Sequence, residues 1–148
     1  MSYVAISDIL VQLPEKQFIS LLDDEATKPA VYTGNSNIAT RANAIITLVD
    51  GLIDENVGGR YSVPLSPVPS IIKQIALDIV IYRLYKRRIN TENDNPYLQP
   101  YRDGLAYLEA LRNGKESLIE LTPLSDSLIV VNKTAEDRLF SKEVLSGY

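Results

Sequence analysis

The sequence contains no cysteine and no histidine. It therefore has no disulfides, no thiolate nucleophile and no histidine general base, and it lacks the ligands of most zinc sites. It also lacks a transmembrane run, because the most apolar segment, residues 71–85, is too short and is interrupted by charge. Residues 1–8 lack the basic start and the long apolar stretch of a signal peptide, so we expect a protein made and used inside a cell.

These absences leave few routes to catalysis. The acidic run Asp23-Asp24-Glu25 is a group of carboxylates, but it falls on a predicted loop with no further ligands nearby. A solvated charge run explains it better than a metal site. We therefore expect that the protein is not an enzyme and that it uses no cofactor and no metal. The formal net charge of −4 also argues against a broad basic surface for nucleic acid.

What the chain does contain is one strongly patterned central stretch, residues 59–88. Three prolines at 64, 67 and 69 predict a rigid, extended bridge, because each ring fixes φ and disfavours a helical residue before it. An apolar helix follows from about Ser70 to Tyr85. Since apolar residues occupy nearly all its positions, we expect it to be buried on almost all sides.

Other helices are predicted on both sides of this stretch. Ser7 or Asp8 can cap a short helix that runs through Leu13, and Pro14 separates it from a second helix over residues 15–22. A loop over residues 26–37 precedes an amphipathic helix from Ile38 to Val57, which Gly58 and Gly59 stop. Gly51 inside that helix favours close packing against a neighbour. A further helix runs from about Tyr97 to Arg112.

Beyond residue 114 the helical period breaks down, and short extended pieces are predicted at residues 118–121 and 128–131. The predicted fold is an all-α domain, a small bundle of about four principal helices over residues 1–114, with an extended C-terminal arm over residues 115–148. The end of the arm carries bulky groups that are rare in disordered tails. Its candidate partner-docking residues are Arg138, Phe140, Leu145 and Tyr148. The alternatives are packing on its own domain and disorder.

Asp78 stands out because it is the one acid within the apolar run from Ile75 to Tyr82. A buried carboxylate needs a cationic or hydrogen-bonding partner. We predict a structural pair with Arg60, because the proline-rich bridge can fold back beside the helix that it introduces. Exposure of Asp78 to solvent and a catalytic role are the alternatives.

Tyrosines are frequent in the second half of the chain. A tyrosine buries a broad ring and keeps a polar tip, which suits both a core and a contact surface. We expect core packing for most of them, with an interface role as the alternative, for Tyr61, Tyr82, Tyr85, Tyr97, Tyr101 and Tyr107.

The central stretch resembles the signature of the Mu-type phage head-tail joining proteins. The resemblance is carried by a glycine-arginine-tyrosine stop, a proline-rich bridge and a tyrosine-rich helix. The residues concerned are Gly59-Arg60-Tyr61-Ser62-Val63-Pro64-Leu65-Ser66-Pro67-Val68-Pro69 and the run from Ile75 to Tyr85. The N-terminal helix from Tyr3 to Leu13, the helix that ends at Asn113-Gly114-Lys115, and residues 138–148 follow in the order and spacing of that family.

The resemblance implies a small helical virion protein, assembled in the host cytoplasm. It is similar to connector or adaptor proteins that form a ring, commonly of twelve subunits, beneath the portal of a filled head. The implied partners are the portal protein, tail or head-closure proteins, and further copies of the chain. No catalytic residue is known for such proteins. Residues 122–136 match no pattern of the family.

Net charge leads to one hypothesis about DNA. An acidic subunit repeated around an axis gives a lumen that repels phosphates, so that DNA passes through it without specific binding. The alternative function is a small helical DNA-binding or regulatory protein of phage origin. The dense basic cluster that such a protein needs is present only at residues 83–88. A solvated helix end explains Lys86-Arg87-Arg88 better than phosphate binding does.

Overall fold

A computed structural model of the chain describes residues 2–25, 29, 31–32, 36–88, 95–119, 121 and 123–124. These residues form five helices and contain no strand. The helices are α1 (Ile6–Gln12), α2 (Glu15–Leu22), α3 (Ser36–Val57), α4 (Ser70–Lys86) and α5 (Leu98–Arg112). The predicted all-α fold is confirmed, and the predicted helix bounds agree with the structure to within about two residues.

The centre of the bundle is α4, which contacts each of the other four helices. Nine of its side chains are buried, and they cover most of the circumference of the helix: Ile72, Ile75, Ala76, Leu77, Ile79, Val80, Ile81, Tyr82 and Leu84. The expectation that this helix is buried on almost all sides is confirmed. Its polar residues Lys73 and Gln74 are exposed near its N-terminus, and Asp78 and Arg83 are half-buried.

The amphipathic pattern of α3 places one apolar face against the core. Its buried residues recur at spacings of three, four and seven: Ile38, Ala42, Ile46, Val49, Ile53 and Val57. The helix begins at Ser36, two residues before the predicted start. At each of these positions the burial of an aliphatic side chain contributes roughly 1.5–3 kcal/mol, apart from the smaller Ala42.

The short helices α1 and α2 meet at Pro14, as predicted. Ala5 occupies the cap position of α1, and the Asp8 carboxylate accepts a hydrogen bond from the Ala5 N–H at 2.9 Å. The predicted cap position at Ser7 or Asp8 is therefore wrong, because both residues lie inside the helix. Asp8, the third helical residue, nevertheless accepts from the free backbone donor of the cap residue. Buried Phe18 and Leu22 dock α2 on the larger helices.

The bridge between α3 and α4 is held by two buried side chains. Tyr61 and Leu65 are each 1% exposed, and the peptide bonds before Pro64 and Pro67 are cis. These two side chains anchor the bridge to the core, and its residues 61–69 are non-helical, as predicted.

The chain after α5 continues to pack on the same core. Leu118 is 3% exposed, and its N–H donates to the Tyr61 hydroxyl at 2.9 Å. The predicted extended piece at residues 118–121 is wrong, because the Leu121 N–H bonds the Leu118 carbonyl at 3.2 Å and closes a turn. The extended piece predicted at residues 128–131 lies outside the described residues. The division between a domain and an arm at residue 114 stays a prediction.

Two glycines differ in whether their position requires a residue without a side chain. Gly51 was expected to allow close packing, but no atom lies within 4 Å of the place where its Cβ would stand. The expectation is wrong because Gly51 lies on the exposed side of α3. Gly114 has a φ of +74°, and a Cβ there would lie 2.9 Å from Nη1 of Arg60. That conformation is the one in which glycine avoids steric cost.

We predict opposite effects of alanine at these two glycines. Gly51→Ala removes backbone freedom from an exposed helix position, so we expect it to stabilise the protein by about 0.5–1 kcal/mol. Gly114→Ala places a Cβ in the left-handed region, so we expect a loss of roughly 1–2 kcal/mol. Urea unfolding of both variants beside the parent chain measures the difference. Equal effects of the two substitutions would contradict the assignment of Gly114 as a conformational requirement.

Candidate partner-binding site

The structure gives other partners to the predicted pair of Arg60 and Asp78. Nη1 of Arg60 donates to the backbone carbonyls of Leu111 at 3.3 Å and Glu116 at 3.4 Å. Oδ1 of Asp78 accepts from the side-chain amide of Gln74 at 3.0 Å. The pair is not formed, because the bridge directs Arg60 to the C-terminal end of α5, where helix carbonyls lack intrahelical donors.

Asp78 lies in a groove between the N-terminal half of α4 and the middle of α5. The groove has a volume of about 390 Å³. Its apolar surface comes from Ile71 and Ile75 on α4 and from Pro100 on α5, and Tyr107 adds an aromatic side chain. Ile71 is 43% exposed, so part of this apolar surface is open to solvent.

Gly104 sets the depth of the groove. It is buried, and a Cβ at this position would lie 3.1 Å from Cγ2 of Ile75. A Cβ here would be in tighter contact than usual with Ile75, so the two helices approach each other closely at Gly104. The close approach predicted for Gly51 occurs here instead. The sequence contained a signal for it. Gly104 lies inside the predicted helix, next to Leu105 and four residues before Leu108, and both leucines belong to the predicted apolar face.

The groove is acidic. Asp78 and Asp103 line it, and no basic residue does. Burial raises the pKa of the Asp78 carboxyl, and the hydrogen bond from Gln74 acts in the opposite direction. Asp103 accepts from the Gln99 amide at 2.7 Å. Each carboxylate thus accepts a hydrogen bond from a neutral amide. No cation among the residues that line the groove neutralises its negative charge.

The six tyrosines singled out in the sequence pack within the described structure. Tyr61 and Tyr82 are buried. The rings of Tyr82 and Tyr101 stack with centroids 4.0 Å apart and planes 8° apart, and those of Tyr85 and Tyr97 lie 5.6 Å apart. These contacts join α4 to the start of α5. Core packing therefore accounts for them, with Tyr107 also facing the groove.

A cluster of charges ties α2, α3 and α4 together. Asp24 accepts hydrogen bonds from Arg87 and Arg88, the latter at 3.0 Å, and Nε of Arg41 lies 3.4 Å from its carboxylate. The Arg41 guanidinium also donates to the Leu22 carbonyl at 2.9 Å. The hydrogen bond from Arg87 is the chief reason that the pKa of Asp24 is lowered.

This cluster adds a contact to two interpretations of the sequence. The acidic run at residues 23–25 and the basic run at residues 86–88 are largely exposed, in agreement with the expected solvated charges, and in addition Asp24 pairs with Arg87 and Arg88. Opposite charges at the ends of two predicted helices were the available signal. Which helix ends meet depends on tertiary packing, so the pairing itself could not be deduced.

A second junction, which the sequence did not reveal, is centred on Tyr3. Its hydroxyl donates to Asp54 on α3 and accepts from the N–H of Leu65 at 3.1 Å. Its backbone N–H donates to Asp50 at 3.1 Å. Burial, followed by the hydrogen bond to Asp54, raises the pKa of Tyr3 to about 12. One side chain thus joins the N-terminus, α3 and the proline-rich bridge.

The candidate docking residues of the arm, Arg138, Phe140, Leu145 and Tyr148, lie outside the described residues. The described part of the arm ends near Arg60, where the Leu124 N–H donates to the Arg60 carbonyl at 2.6 Å. Within the described ranges, no group of three or more acidic side chains is placed to hold a metal ion. None of the helices there has the length and apolar character needed to cross a membrane.

Comparison with known families places the chain. The model of the family described as Bacteriophage Mu, Gp36 matches residues 3–126. This range includes all five described helices, the charge cluster around Asp24 and the junction centred on Tyr3. The chain therefore belongs to this phage protein family. No curated protein matches it.

We predict that Tyr3→Phe destabilises the fold by about 1–3 kcal/mol, because it removes the acceptor of the buried Leu65 N–H and the donor to Asp54. The matched control is Tyr101→Phe, whose hydroxyl makes no hydrogen bond with another described residue. Urea unfolding at pH 7 measures both variants. If Tyr3→Phe cost no more stability than Tyr101→Phe, the hydrogen bonds of the Tyr3 hydroxyl would contribute nothing, and only the packing of its ring would matter.

The same junction predicts an alkaline limit. The pKa of Tyr3 is about 12 in the folded state against 10 for an ordinary tyrosine. The neutral form therefore stabilises the fold fully below pH 10, and this contribution is lost as pH rises toward 12. We expect the stability difference between the parent chain and Tyr3→Phe to shrink over that interval. A difference that is independent of pH from 9 to 12 would contradict the assignment.

For the charge cluster we predict that Asp24→Asn lowers the thermal midpoint at pH 7. Since its pKa is lowered in the folded state, the carboxylate stabilises the protein above its ordinary pKa and loses this effect as pH falls through its native value. The parent and variant should therefore converge at low pH. They should also converge at high salt, because these side chains are partly exposed. Glu55→Gln, on the exposed side of α3, is the control and should change little.

Proposed function

We propose that this protein is a structural component of the phage virion that joins head to tail. In this role it is a connector or adaptor subunit that forms a ring beneath the portal and takes part in head completion and tail attachment. The observation that carries the proposal is membership of the Mu Gp36 family over residues 3–126. The same proposal includes assembly in the host cytoplasm and a role without catalysis.

The architecture supports an assembly role. The helices pack tightly around α4, while the acidic groove between α4 and α5 stays open at one side of the bundle. A further 24 residues, 125–148, follow the last described residue of the arm in the sequence. A ring built head to tail needs two different surfaces on each subunit, and a groove together with an arm supplies two such surfaces.

The acidic balance supports passage of DNA rather than its capture. The net charge is −4, and the two arginines of the densest basic run, Arg87 and Arg88, pair with Asp24. Cations engaged in this way have less capacity to neutralise phosphates. This observation weighs against the alternative of a small helical DNA-binding or regulatory protein.

The proposal predicts a stoichiometric complex with the portal. Mass measured in solution over a concentration series, with and without the portal protein of the same phage, should give a ring or a subunit that joins the portal at a fixed ratio. The portal of an unrelated phage is the control. A monomer that is indifferent to both portals would overturn the proposal.

DNA binding at low ionic strength separates the two functions. Phosphate-driven affinity is greatest there, so a DNA-binding protein would retain duplex DNA most tightly under these conditions. We expect the assembled ring to release duplex DNA at 50 mM salt. Tight retention that weakens steeply with added salt would favour the alternative function and would contradict a repelling lumen.

A further inference from the structure

We propose that the groove between α4 and α5 receives the C-terminal arm of a second copy of this chain, with Arg138 beside Asp78 and Phe140 on the apolar surface. The inference rests on the proposed ring, because it names the two surfaces that meet between neighbouring subunits. It goes further in assigning the groove as the receptor and residues 138–140 as its ligand.

Charge complementarity is the first support. The groove presents Asp78 and Asp103 and is lined by no cation. The nearby cation on α4, Lys73, is engaged by Asp8 at 2.8 Å. A half-buried carboxylate that has only an amide donor gains most from a guanidinium, whose planar fork can bond both carboxylate oxygens.

The composition of the arm selects the ligand. Arg138 is the single arginine after residue 112, and it is followed directly by Leu139 and Phe140. The two lysines of residues 125–148, Lys133 and Lys142, have polar residues on both sides. Within residues 125–148, only the segment at residues 138–140 therefore combines a cation with directly adjacent bulky apolar groups. The groove complements this combination, because it places carboxylates beside an apolar surface.

The shape and chemistry of the groove suit this segment. Its volume of about 390 Å³ is enough for a phenyl ring, and its surface includes the Tyr107 ring and the exposed part of Ile71. Aromatic rings pair favourably in stacked or edge-to-face arrangements. Because Asp78 lies on the same groove, an arginine and an aromatic side chain two residues apart can engage it together.

The arm is long enough to reach a neighbour. The bond from the Leu124 N–H to the Arg60 carbonyl fixes the position of the last described residue of the arm. Fourteen residue steps separate Leu124 from Arg138 (138 − 124), and an extended chain covers roughly 46 Å over that length. A bundle of this size has a radius of gyration of roughly 14 Å. The segment can therefore span the width of one subunit and enter the groove of the next.

The absence of cysteine from the chain makes the contact directly testable. Two full-length single variants, Ile71→Cys in the groove and Leu139→Cys in the arm, are mixed and treated with a short bis-maleimide. We expect a covalent heterodimer, identified by mass, in at least fivefold excess over a control mixture. In that control Leu48→Cys, which is 61% exposed on α3, replaces the groove variant.

Charge substitutions test the assigned ion pair. Asp78→Asn in the groove partner or Arg138→Gln in the arm partner should lower the heterodimer yield several-fold, since each removes one member of the pair. Circular dichroism of each variant checks that the helices are intact. Exchanging the charges, with Asp78→Arg in one partner and Arg138→Asp in the other, should restore the yield. Yields unchanged by all of these substitutions would overturn the pairing.

Two outcomes would overturn the proposed occupant. One is a yield no higher than that of the Leu48 control. The other is exclusive cross-linking within one chain when both cysteines are placed in a single dilute molecule, which would make the groove a site for the chain's own arm. If a ring forms but the cross-link does not, the proposed function is supported and the arm contact is wrong. If the cross-link forms but the protein neither closes a ring nor joins the portal, the arm contact is supported and the proposed function is wrong.

Discussion

The burial of α4 on almost all sides is the constraint on which the rest of the structure depends. A 17-residue helix with nine buried side chains cannot face water, so every other helix packs against it. Apart from half-buried Arg83, its charged and amide side chains lie at the few places that remain open. Lys73 and Gln74 lie near its start, Asp78 faces the groove, and Arg87 and Arg88 follow its last turn. The core thus determines where charge is available for other contacts.

Long-range polar contacts then fix the connections around this core. Tyr3 joins the N-terminus to α3 and the bridge, Tyr61 and Arg60 hold the chain that follows α5, and Asp24 joins three helix ends. None of these contacts lies in the helix interfaces themselves. They orient the loops and termini, while apolar packing supplies most of the stability.

The helices were largely predictable from the sequence because their causes are local. The period of apolar residues identified α3 and α5, proline and glycine marked most of the boundaries, and continuous apolar character identified α4 as the core helix. The partners of Arg60, Asp24 and Tyr3 were not predictable, because most of them lie far away along the chain, at separations of 51 residues for Arg60 and Leu111, 51 for Tyr3 and Asp54, and 63 for Asp24 and Arg87. The predicted pair of Arg60 and Asp78 was wrong because the place of Arg60 on the bridge did not specify which helix end the arginine side chain would contact.

Asp78 has a physical cost that the isolated bundle does not offset. Burial raises its pKa, which means that its ionised form is disfavoured by the folded state and lowers stability at neutral pH. An apolar side chain at the same position would continue the surface formed by Ile71 and Ile75 and would avoid this cost. A cation supplied from outside the described bundle would compensate this charge. In the arrangement proposed above, the arginine of a neighbouring arm is that cation, so the stability lost in the subunit would be recovered in the contact between subunits.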